Sequence, residues 1–196
     1  MQDAFFFGYG SLVNCDTHGF APVRRAQVRG WKRAWRATAE RQIAYLTAIA
    51  APDGVAIDGL TAPVPQGDWA ALDAREQAYD RHDASQLITH LDTADGQGDP
   101  APGRTAIYAI APDRMGPPTA DHPILLSYLD VVIQGYLRHF GPDGVARFVA
   151  TTEGWDAPVL NDRAAPLYPR AQRLTAAETG LVDTILQAQG SRLIRA

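Results

Sequence analysis

Short apolar runs separated by turn residues dominate the first 110 residues of this chain. Such runs predict β-strands, because a strand needs only a few residues and ends where Gly, Pro, Asn or Asp cluster. The predicted strand segments are residues 5–7, 23–39, 43–50, 55–64, 85–91 and 104–111. Gly59 interrupts the fourth of them, as at a bulge or a close approach of two backbones. Residues 92–103, rich in Asp, Gly and Pro, predict an exposed loop.

Helical spacing predicts three helices. The first is predicted over residues 68–80, with Asp68 as its N-cap. The longest opens at His122-Pro123 and runs to Phe140, and Gly141-Pro142 supplies its stop signal. Its apolar positions with the helical period are Leu125, Leu129, Val132, Ile133, Tyr136 and Leu137. A last helix is predicted over residues 176–189, after an irregular stretch at 151–173.

This order of elements favours an α+β fold, because the strands outnumber the helices and do not alternate with them. We expect a curled, mostly antiparallel sheet or a small β-barrel with peripheral helices. A doubly wound sheet is disfavoured, since several successive strands leave no room for a crossover helix. The 196 residues suit a single domain over residues 1–196, with a helical and irregular extension from about residue 112.

Composition narrows the functional classes. The formal net charge of −4 gives no indication of a nucleic-acid partner. Cys15 is the single cysteine, which excludes an intramolecular disulfide and a multi-thiolate metal site. No apolar stretch reaches membrane-spanning length, and the first residues carry Asp3 where a signal peptide has a basic region. We therefore expect a cytoplasmic protein without a membrane partner, and no pattern indicates its oligomeric state.

The segment Phe5-Phe6-Phe7-Gly8-Tyr9-Gly10-Ser11-Leu12 contains the first candidate site. Its apolar run ends in a loop whose glycines leave backbone N–H groups uncovered, so that a carboxylate or carbonyl oxygen can approach. A simple turn after a first strand is the alternative. The segment is not a Walker A loop, because no Gly-Lys-Ser/Thr follows. It is not a nucleophile elbow, because Ser11 lacks a glycine two residues later.

Glu76 is the second candidate. On a helix over residues 68–80 it shares a face with Trp69, Leu72 and Tyr79. A carboxyl group among apolar side chains is desolvated, which raises its pKa and makes it usable as an acid or base near neutral pH. Pairing of Glu76 with a buried arginine, or its extension into solvent, is the alternative.

Three further groups of residues are weaker candidates. Cys15 and His18 stand three residues apart in a predicted loop, a spacing that does not establish a nucleophile and its base. The five histidines lack metal-ligand spacing, so no metal site is predicted. Arg163, Tyr168 and Arg170 occupy a polar segment where an arginine could bind a substrate carboxylate. A surface tail held by salt bridges is the alternative for this segment.

The arginine-rich residues 24–41 do not predict a nucleic-acid site. In a strand, Trp31 and Trp35 share one face while Lys32 and Arg36 lie on the other. This pattern predicts a half-buried strand with a solvated face.

Several of these features together resemble the gamma-glutamylcyclotransferase family, close to its ChaC-type and AIG2-like branches. Phe7-Gly8-Tyr9-Gly10-Ser11-Leu12 resembles the family's Tyr-Gly-Ser motif, and Gly30-Trp31-Lys32-Arg33 follows it. Leu72-Asp73-Ala74-Arg75-Glu76-Gln77-Ala78-Tyr79 resembles the catalytic-glutamate segment, about 65 residues after the loop. The resemblance covers about the first 110 residues and leaves the chain after Pro112 unassigned.

The resemblance implies a small β-barrel and a reaction without a cofactor. Family members release 5-oxoproline from glutathione, gamma-glutamyl amino acids or gamma-glutamyl amines, by attack of the glutamyl amine on its own γ-carbonyl. It implies that Glu76 is the general acid and base. It also implies that the backbone of Tyr9, Gly10, Ser11 and Leu12 binds the glutamyl part and stabilises the oxyanion.

Two other functions stay open at this level. A protein of this fold could bind a small metabolite without turnover, or Glu76 could activate water in a hydrolase that releases free glutamate. Glu76 favours an enzyme, because a pure binding protein has little use for a carboxylate on an apolar helix face.

Overall fold

The computed structural model describes residues 3–52, 54–92, 99–100 and 103–195. Its strands are β1 (Ala4–Gly8), β2 (Arg24–Arg29), β3 (Trp31–Thr38), β4 (Ala44–Ala50), β5 (Ala56–Pro63), β6 (Asp80–Asp83), β7 (Ile88–His90), β8 (Asp99–Pro100), β9 (Arg104–Ala109), β10 (Met115–Gly116), β11 (Ile124–Leu125), β12 (Thr152–Glu153), β13 (Val159–Asn161) and β14 (Leu193–Arg195). Its helices are α1 (Ala70–Arg75), α2 (Leu126–Ala150) and α3 (Ala176–Ala188). Short 3₁₀ turns cover Ser11–Val13, Cys15–Thr17, Pro65–Gly67 and Pro112–Arg114.

The described strands pair into three sheets. The largest has the order β6-β9-β1-β5-β2-β7-β8, the second joins β10, β3, β12 and β4, and the third has the order β11-β13-β14. β1 is the third strand of the largest sheet, antiparallel to β5 and parallel to β9. The predicted α+β class is confirmed. The pairings within the described ranges close no sheet into a ring, so the predicted barrel is not confirmed.

Gly59 marks a close approach of two strands, as its position in the pattern predicts. A Cβ at Gly59 would lie 2.4 Å from the carbonyl oxygen of Gly8 and 2.5 Å from Cζ of Phe7. A side chain cannot occupy that space, because both neighbours belong to a packed strand. The missing side chain therefore allows β5 to lie close to the end of β1, its antiparallel neighbour in the sheet, where the candidate loop begins.

The part of the chain after Pro112 packs on the same core as the N-terminal strands. Phe7 of β1 and Trp35 of β3 are buried in one cluster with Leu129 and Tyr136 of α2 and Val182 of α3. The helical period predicts the two α2 residues as core positions, and both are fully buried. Contacts of α2 and α3 with this core fix the start of α2 beside the candidate loop.

The limits of α2 differ from the prediction for two local reasons. The helix begins at Leu126 instead of His122, because Ile124 and Leu125 pair with β13 as β11. At the predicted stop, Gly141 adopts a φ of +67° and breaks the helix. Helical geometry then resumes from Pro142 to Ala150, since proline is well tolerated in a first helical turn.

Two segments predicted as irregular contain strands. Residues 151–173 include β12, which pairs with β3, and β13, which pairs with β11 and β14. Most of the predicted loop over residues 92–103 lies outside the described residues. Within them, Asp99 and Pro100 form β8 against β7. None of the helices in the described ranges is long and apolar enough to cross a membrane.

β3 is more deeply buried than the predicted half-solvated strand. Trp35 is fully buried, as expected, and Lys32 and Arg36 on the other face form ion pairs with Glu153 of β12. Arg33, which shares the tryptophan face, is also fully buried. The solvated face is therefore limited to side chains that β12 already contacts.

Gly135→Ala is expected to lower the free energy of unfolding by about 2 kcal/mol, the usual cost of overpacking a tight contact. A Cβ at Gly135 would lie 2.8 Å from the backbone nitrogen of Asn14 and 2.9 Å from the carbonyl carbon of Val13. The extra methyl group would push α2 away from the turn that follows the candidate loop. Urea denaturation midpoints measure the change.

Gly180→Ala in α3 is the matched control for this prediction. Nothing lies within 4 Å of the position its Cβ would take. Alanine there is expected to raise stability by about 0.5–1 kcal/mol, because it restricts the unfolded chain. If Gly135→Ala raised stability as Gly180→Ala is expected to, close packing at Gly135 would be contradicted.

Candidate active site

A cavity of about 160 Å³ lies where the candidate loop, the end of α1, β4 and the start of α2 meet. Its inner wall includes the buried side chains of Leu46 and Leu125, and its rim includes the exposed residues Arg41, Leu167 and Arg170. The volume is roughly ten times what one water molecule requires. The cavity can therefore hold a ligand of amino-acid size and opens to solvent at the rim.

Glu76 lines this cavity, but not from the middle of a helix. The helix predicted over residues 68–80 ends after Arg75, and Glu76 is its C-terminal cap, with its N–H donating to the Leu72 carbonyl at 2.9 Å. A turn then closes between the Tyr79 N–H and the Glu76 carbonyl, and residues 80–83 pair with β9 as β6. The turn over residues 76–79 and the strand after it replace the end of the predicted helix, because the same backbone groups cannot serve both arrangements.

Burial and one guanidinium group control the charge of Glu76. Its side chain is only 16% exposed, and this burial raises its pKa above the usual value. Arg75 opposes the shift through its charge and through a hydrogen bond from Nε to Oε1 at 3.1 Å, and Arg170 opposes it by charge alone. No described protein group hydrogen-bonds the other oxygen, Oε2. Oε2 is therefore the atom that can exchange a proton with a ligand.

Arg75 connects Glu76 to the candidate loop. Its Nη1 donates to the carbonyl oxygen of Thr17 at 3.0 Å, and its Nη2 donates to Oγ of Ser11 at 3.2 Å. The Arg75 side chain is 9% exposed, so these bonds are shielded from solvent. They hold the carboxylate and the loop in a fixed relation. Arg75 is thus the buried arginine that the alternative prediction for Glu76 required. The pairing does not remove Glu76 from the cavity lining.

The loop residues Tyr9, Gly10, Ser11 and Leu12 line a narrower cleft of about 30 Å³, which Glu76 also borders. Ser11 belongs to both the cleft and the larger cavity. Within the described chain, the amides of Gly10, Ser11 and Leu12 donate to no backbone carbonyl. A Cβ at Gly10 would lie 2.7 Å from the Tyr128 hydroxyl oxygen. Glycine at this position therefore keeps the loop backbone close to Tyr128.

The side chain of Tyr9 is a structural support of the loop. Its hydroxyl donates to the Tyr108 carbonyl at 2.6 Å and accepts from the Ala48 N–H at 3.0 Å. Burial raises the pKa of this phenol, so it stays neutral. Its backbone carbonyl accepts from Nε of Arg33 at 3.3 Å and from the Tyr136 hydroxyl at 2.9 Å. The carbonyl is thus directed into the core, away from the cavity.

The segment over residues 161–170, named here the rim segment, closes the far side of the cavity. Asp162, which is 1% exposed, accepts hydrogen bonds from the Ser127 N–H at 2.8 Å and from the Leu167 N–H at 2.9 Å. The ring of Tyr168 packs edge-on against Tyr128 at 5.0 Å. The rim segment is therefore anchored to the first turn of α2, which otherwise lacks a side-chain cap of its own.

The three rim-segment candidates have separate positions. Tyr168 and Arg170 line the cavity. Arg163 instead pairs with Asp130 at 2.7 Å and with Asp183 at 2.6 Å, which ties the segment to α2 and α3. The alternative of a surface tail held by salt bridges therefore applies to Arg163 but not to Arg170.

The thiol and metal alternatives do not produce a site. Sγ of Cys15 lies 3.4 Å from Nε2 of His139, whereas Nε2 of His18 contacts the Leu12 carbonyl at 3.0 Å, so Cys15 and His18 are not paired. Burial raises the pKa of the Cys15 thiol, which reduces its nucleophilic form. Across the described residues, no group of three or more His, Cys, Asp and Glu side chains could hold a metal ion.

Sequence reasoning missed several cavity residues. Tyr128 and Leu125 belong to segments whose pattern predicts only core positions. A strand region without a chemical motif contains the other missed residues, Arg41, Tyr45 and Leu46. Burial raises the pKa of Tyr128 and Tyr79, so both are neutral hydroxyl groups at the cavity. No spacing in the sequence connects these positions to Glu76, since only the tertiary structure brings them to one cavity.

Neither the protein-family models nor the curated proteins contain a match to this chain. Solved structures do match. One described as a gamma-glutamyl cyclotransferase superposes with a TM-score of 0.57, at 14% identity, over 93% of this chain and 99% of its own. YkqA from Bacillus subtilis superposes with a TM-score of 0.55, at 15% identity, over 79% of this chain and 57% of its own. The chain therefore has the fold of these structures, and the first match extends well past residue 112.

Proposed function

We propose that this protein is an enzyme of the gamma-glutamylcyclotransferase type, which releases 5-oxoproline from a gamma-glutamyl compound with Glu76 as general acid and base. One observation carries the proposal. Glu76 has a pKa raised by burial, and it lines a cavity of about 160 Å³ together with Ser11 of the glycine loop. The shared fold with a solved gamma-glutamyl cyclotransferase supports the same reaction class.

The reaction needs only one group that both accepts and returns a proton. Oε2 of Glu76 accepts a proton from the α-ammonium group of the substrate. The freed nitrogen attacks the γ-carbonyl carbon, and a five-membered ring closes. Glu76 then returns this proton to the leaving nitrogen as its bond to carbon breaks. The second proton, which the ring nitrogen loses after the attack, also passes to the leaving nitrogen, so that the products are 5-oxoproline and an ammonium ion. Because the attack is intramolecular, orientation in the cavity supplies much of the acceleration.

The glycine loop is proposed to hold the reacting carbonyl. The amides of Gly10 and Leu12 donate to no backbone carbonyl in the described chain, the Ser11 amide donates to the Tyr128 hydroxyl, and the cleft that these residues line adjoins Glu76. Amide donors fixed in advance stabilise an oxyanion without reorganisation. Tyr9 contributes through its backbone, because its hydroxyl is already engaged with Tyr108 and Ala48. The mechanism uses no covalent nucleophile, so the engaged Cys15 has no part in it.

A product assay tests this function. The purified protein is incubated with glutathione, with gamma-glutamyl amino acids and with gamma-glutamyl amines, and each mixture is assayed for 5-oxoproline and for glutamate. Release of 5-oxoproline is the expected result. Free glutamate without 5-oxoproline would indicate a hydrolase in which Glu76 activates water. Binding of a gamma-glutamyl compound without any product would indicate a metabolite-binding protein.

The pH dependence of kcat/KM is expected to show an acid limb above the usual pKa of a glutamate. Glu76 must be ionised to accept a proton, so activity rises as pH increases through its pKa. Burial raises that pKa above 4.5, and the charges of Arg75 and Arg170 only partly oppose it. Tyr9, Tyr79 and Tyr128 stay neutral because burial raises their pKa values too. Rates measured between about pH 4 and 8 locate the limb; a limb below that of a free glutamate would contradict this assignment.

A further inference from the structure

Two arginines at the cavity rim have no acidic partner. Arg41 lies between β3 and β4, and Arg170 lies in the rim segment on the opposite side. Neither forms an ion pair with any carboxylate in the described parts of the chain. Both side chains are exposed. Arg41 hydrogen-bonds the hydroxyl of Tyr45, and Arg170 acts on Glu76 by charge without an ion-pair contact, so both guanidinium groups can still bind an incoming anion.

The cavity is positive although the whole chain is negative. Its charged lining residues are Arg41, Arg75 and Arg170 against Glu76 alone, three positive charges and one negative. The whole chain carries a formal net charge of −4. Arg75 is already bound to Glu76, Ser11 and Thr17, so the uncompensated charge is that of the two rim arginines. Such a concentration of charge in a cleft favours an anionic ligand.

The position of Arg170 is fixed by the fold. Tyr168, two residues earlier, packs against Tyr128, and its N–H donates to Oγ of Ser127 at 3.3 Å. A guanidinium group on an anchored backbone loses less freedom when it binds a carboxylate. Tyr45 and Tyr168 also line the cavity. Their rings supply apolar surface against which a bound ligand can pack.

The order of groups from the interior to the rim indicates which part of the substrate meets the arginines. If Glu76 and the glycine loop hold the reacting carbonyl, the leaving amine extends outward, toward Arg41 and Arg170. We propose that these two arginines form a subsite for a carboxylate on the leaving group. This inference rests on the proposed function, and it makes the substrate class gamma-glutamyl amino acids or peptides, with gamma-glutamyl amines as poor substrates.

The test compares two substrates that differ only in the leaving-group charge, gamma-glutamylglycine and gamma-glutamylglycinamide. The unmodified protein is expected to prefer the carboxylate by about fivefold in kcat/KM, the upper end for an ion pair at a solvent-exposed site. Arg170→Gln and Arg41→Gln should each reduce this preference, through a higher KM for gamma-glutamylglycine. Arg170→Lys should restore part of it, since the charge remains but the planar fork is lost. Arg173→Gln, in the same region but outside the cavity, is the control and should keep the full preference.

The outcomes separate this inference from the proposed function. Equal release of 5-oxoproline from both substrates would overturn the subsite and leave the reaction intact. An equal loss of activity on both substrates in Arg170→Gln would also overturn it, because the arginine would then serve the glutamyl part or the structure. Absence of 5-oxoproline from every gamma-glutamyl compound would overturn the proposed reaction and the inference with it.

Discussion

Glu76→Gln is expected to release 5-oxoproline about 10³-fold more slowly than the unmodified protein, with little change in KM. The amide keeps the shape of the carboxylate but cannot accept a proton at neutral pH, and general acid–base groups commonly contribute about 10²–10⁴-fold to a rate. Oε1 of Glu76 accepts from Nε of Arg75, and the amide oxygen of glutamine can accept the same bond. The loss should therefore affect the chemical step and not the assembly of the cavity.

The stability of Glu76→Gln provides an independent check on the environment of this carboxyl. Because the pKa of Glu76 is raised in the folded state, the protonated form is favoured by folding. The stability it contributes is fully present below the pKa of the unfolded chain and is lost as pH rises through the folded-state pKa. A neutral glutamine has no such loss. The variant should thus gain stability relative to the unmodified protein between about pH 4 and pH 7, as measured by urea denaturation at several pH values.

Asp73→Asn is the control for this substitution. Asp73 lies in the same short helix, but it is 47% exposed and pairs with Arg81 outside the cavity. It should retain activity within about twofold, as surface substitutions usually have small effects. Activity of Glu76→Gln close to that of Asp73→Asn would remove Glu76 from the mechanism.

Arg33→Ala is expected to destabilise the protein by about 4 kcal/mol, the combined cost of a buried cavity and of lost buried hydrogen bonds. Arg33 is fully buried, and its guanidinium lies 5.0 Å from the ring centres of both Tyr136 and Phe148. It donates to the Tyr9 carbonyl and, at 2.7 Å, to Oγ1 of Thr151. Its removal would take this donor from Thr151 and would leave the Tyr136 hydroxyl as the remaining donor to the Tyr9 carbonyl, which orients the glycine loop.

A graded series distinguishes this role from a general cost of losing an arginine. Tyr136→Phe removes one hydroxyl that donates to the Tyr9 carbonyl and should cost about 1–2 kcal/mol. Arg29→Ala, on an exposed part of β2, should cost under about 1 kcal/mol. Urea midpoints order the three variants. A cost of Arg33→Ala no larger than that of Arg29→Ala would contradict the assigned role of Arg33 in the core.

Periodicity and turn residues predicted most of the elements that border the site. The aromatic run at residues 5–7 is β1, the segments at 43–50 and 55–64 contain β4 and β5, and Gly59 is a close approach. These predictions depend on local properties, since alternation, β-branching and glycine act within a few residues. The predictions that were wrong concern elements whose hydrogen-bond partners are distant in the sequence. The helix predicted over residues 68–80 ends after Arg75, and the chain then turns so that residues 80–83 pair with β9, more than twenty residues later.

The burial of Glu76 was also predicted better than its place in the helix. The sequence indicated a desolvated carboxyl, and burial does raise its pKa, yet Glu76 caps a short helix and is not in the middle of an apolar face. The partner that holds it is its own neighbour, Arg75, whose other contacts reach back to Ser11 and Thr17. A hydrogen bond across some sixty residues has no periodic signal in a sequence.

The sequence alone determined the α+β class, the glycine loop and a carboxyl group able to act as an acid or base, because each follows from residue types and local spacing. Only the tertiary structure decided which residues surround that carboxyl group. Tyr128 comes from α2, Arg41 from the turn before β4 and Arg170 from the rim segment, and the anchoring of that segment by Asp162 places the last of them. Contacts between segments so far apart along the chain form only when a common core positions them, and that core joins β1 and β3 to α2 and α3.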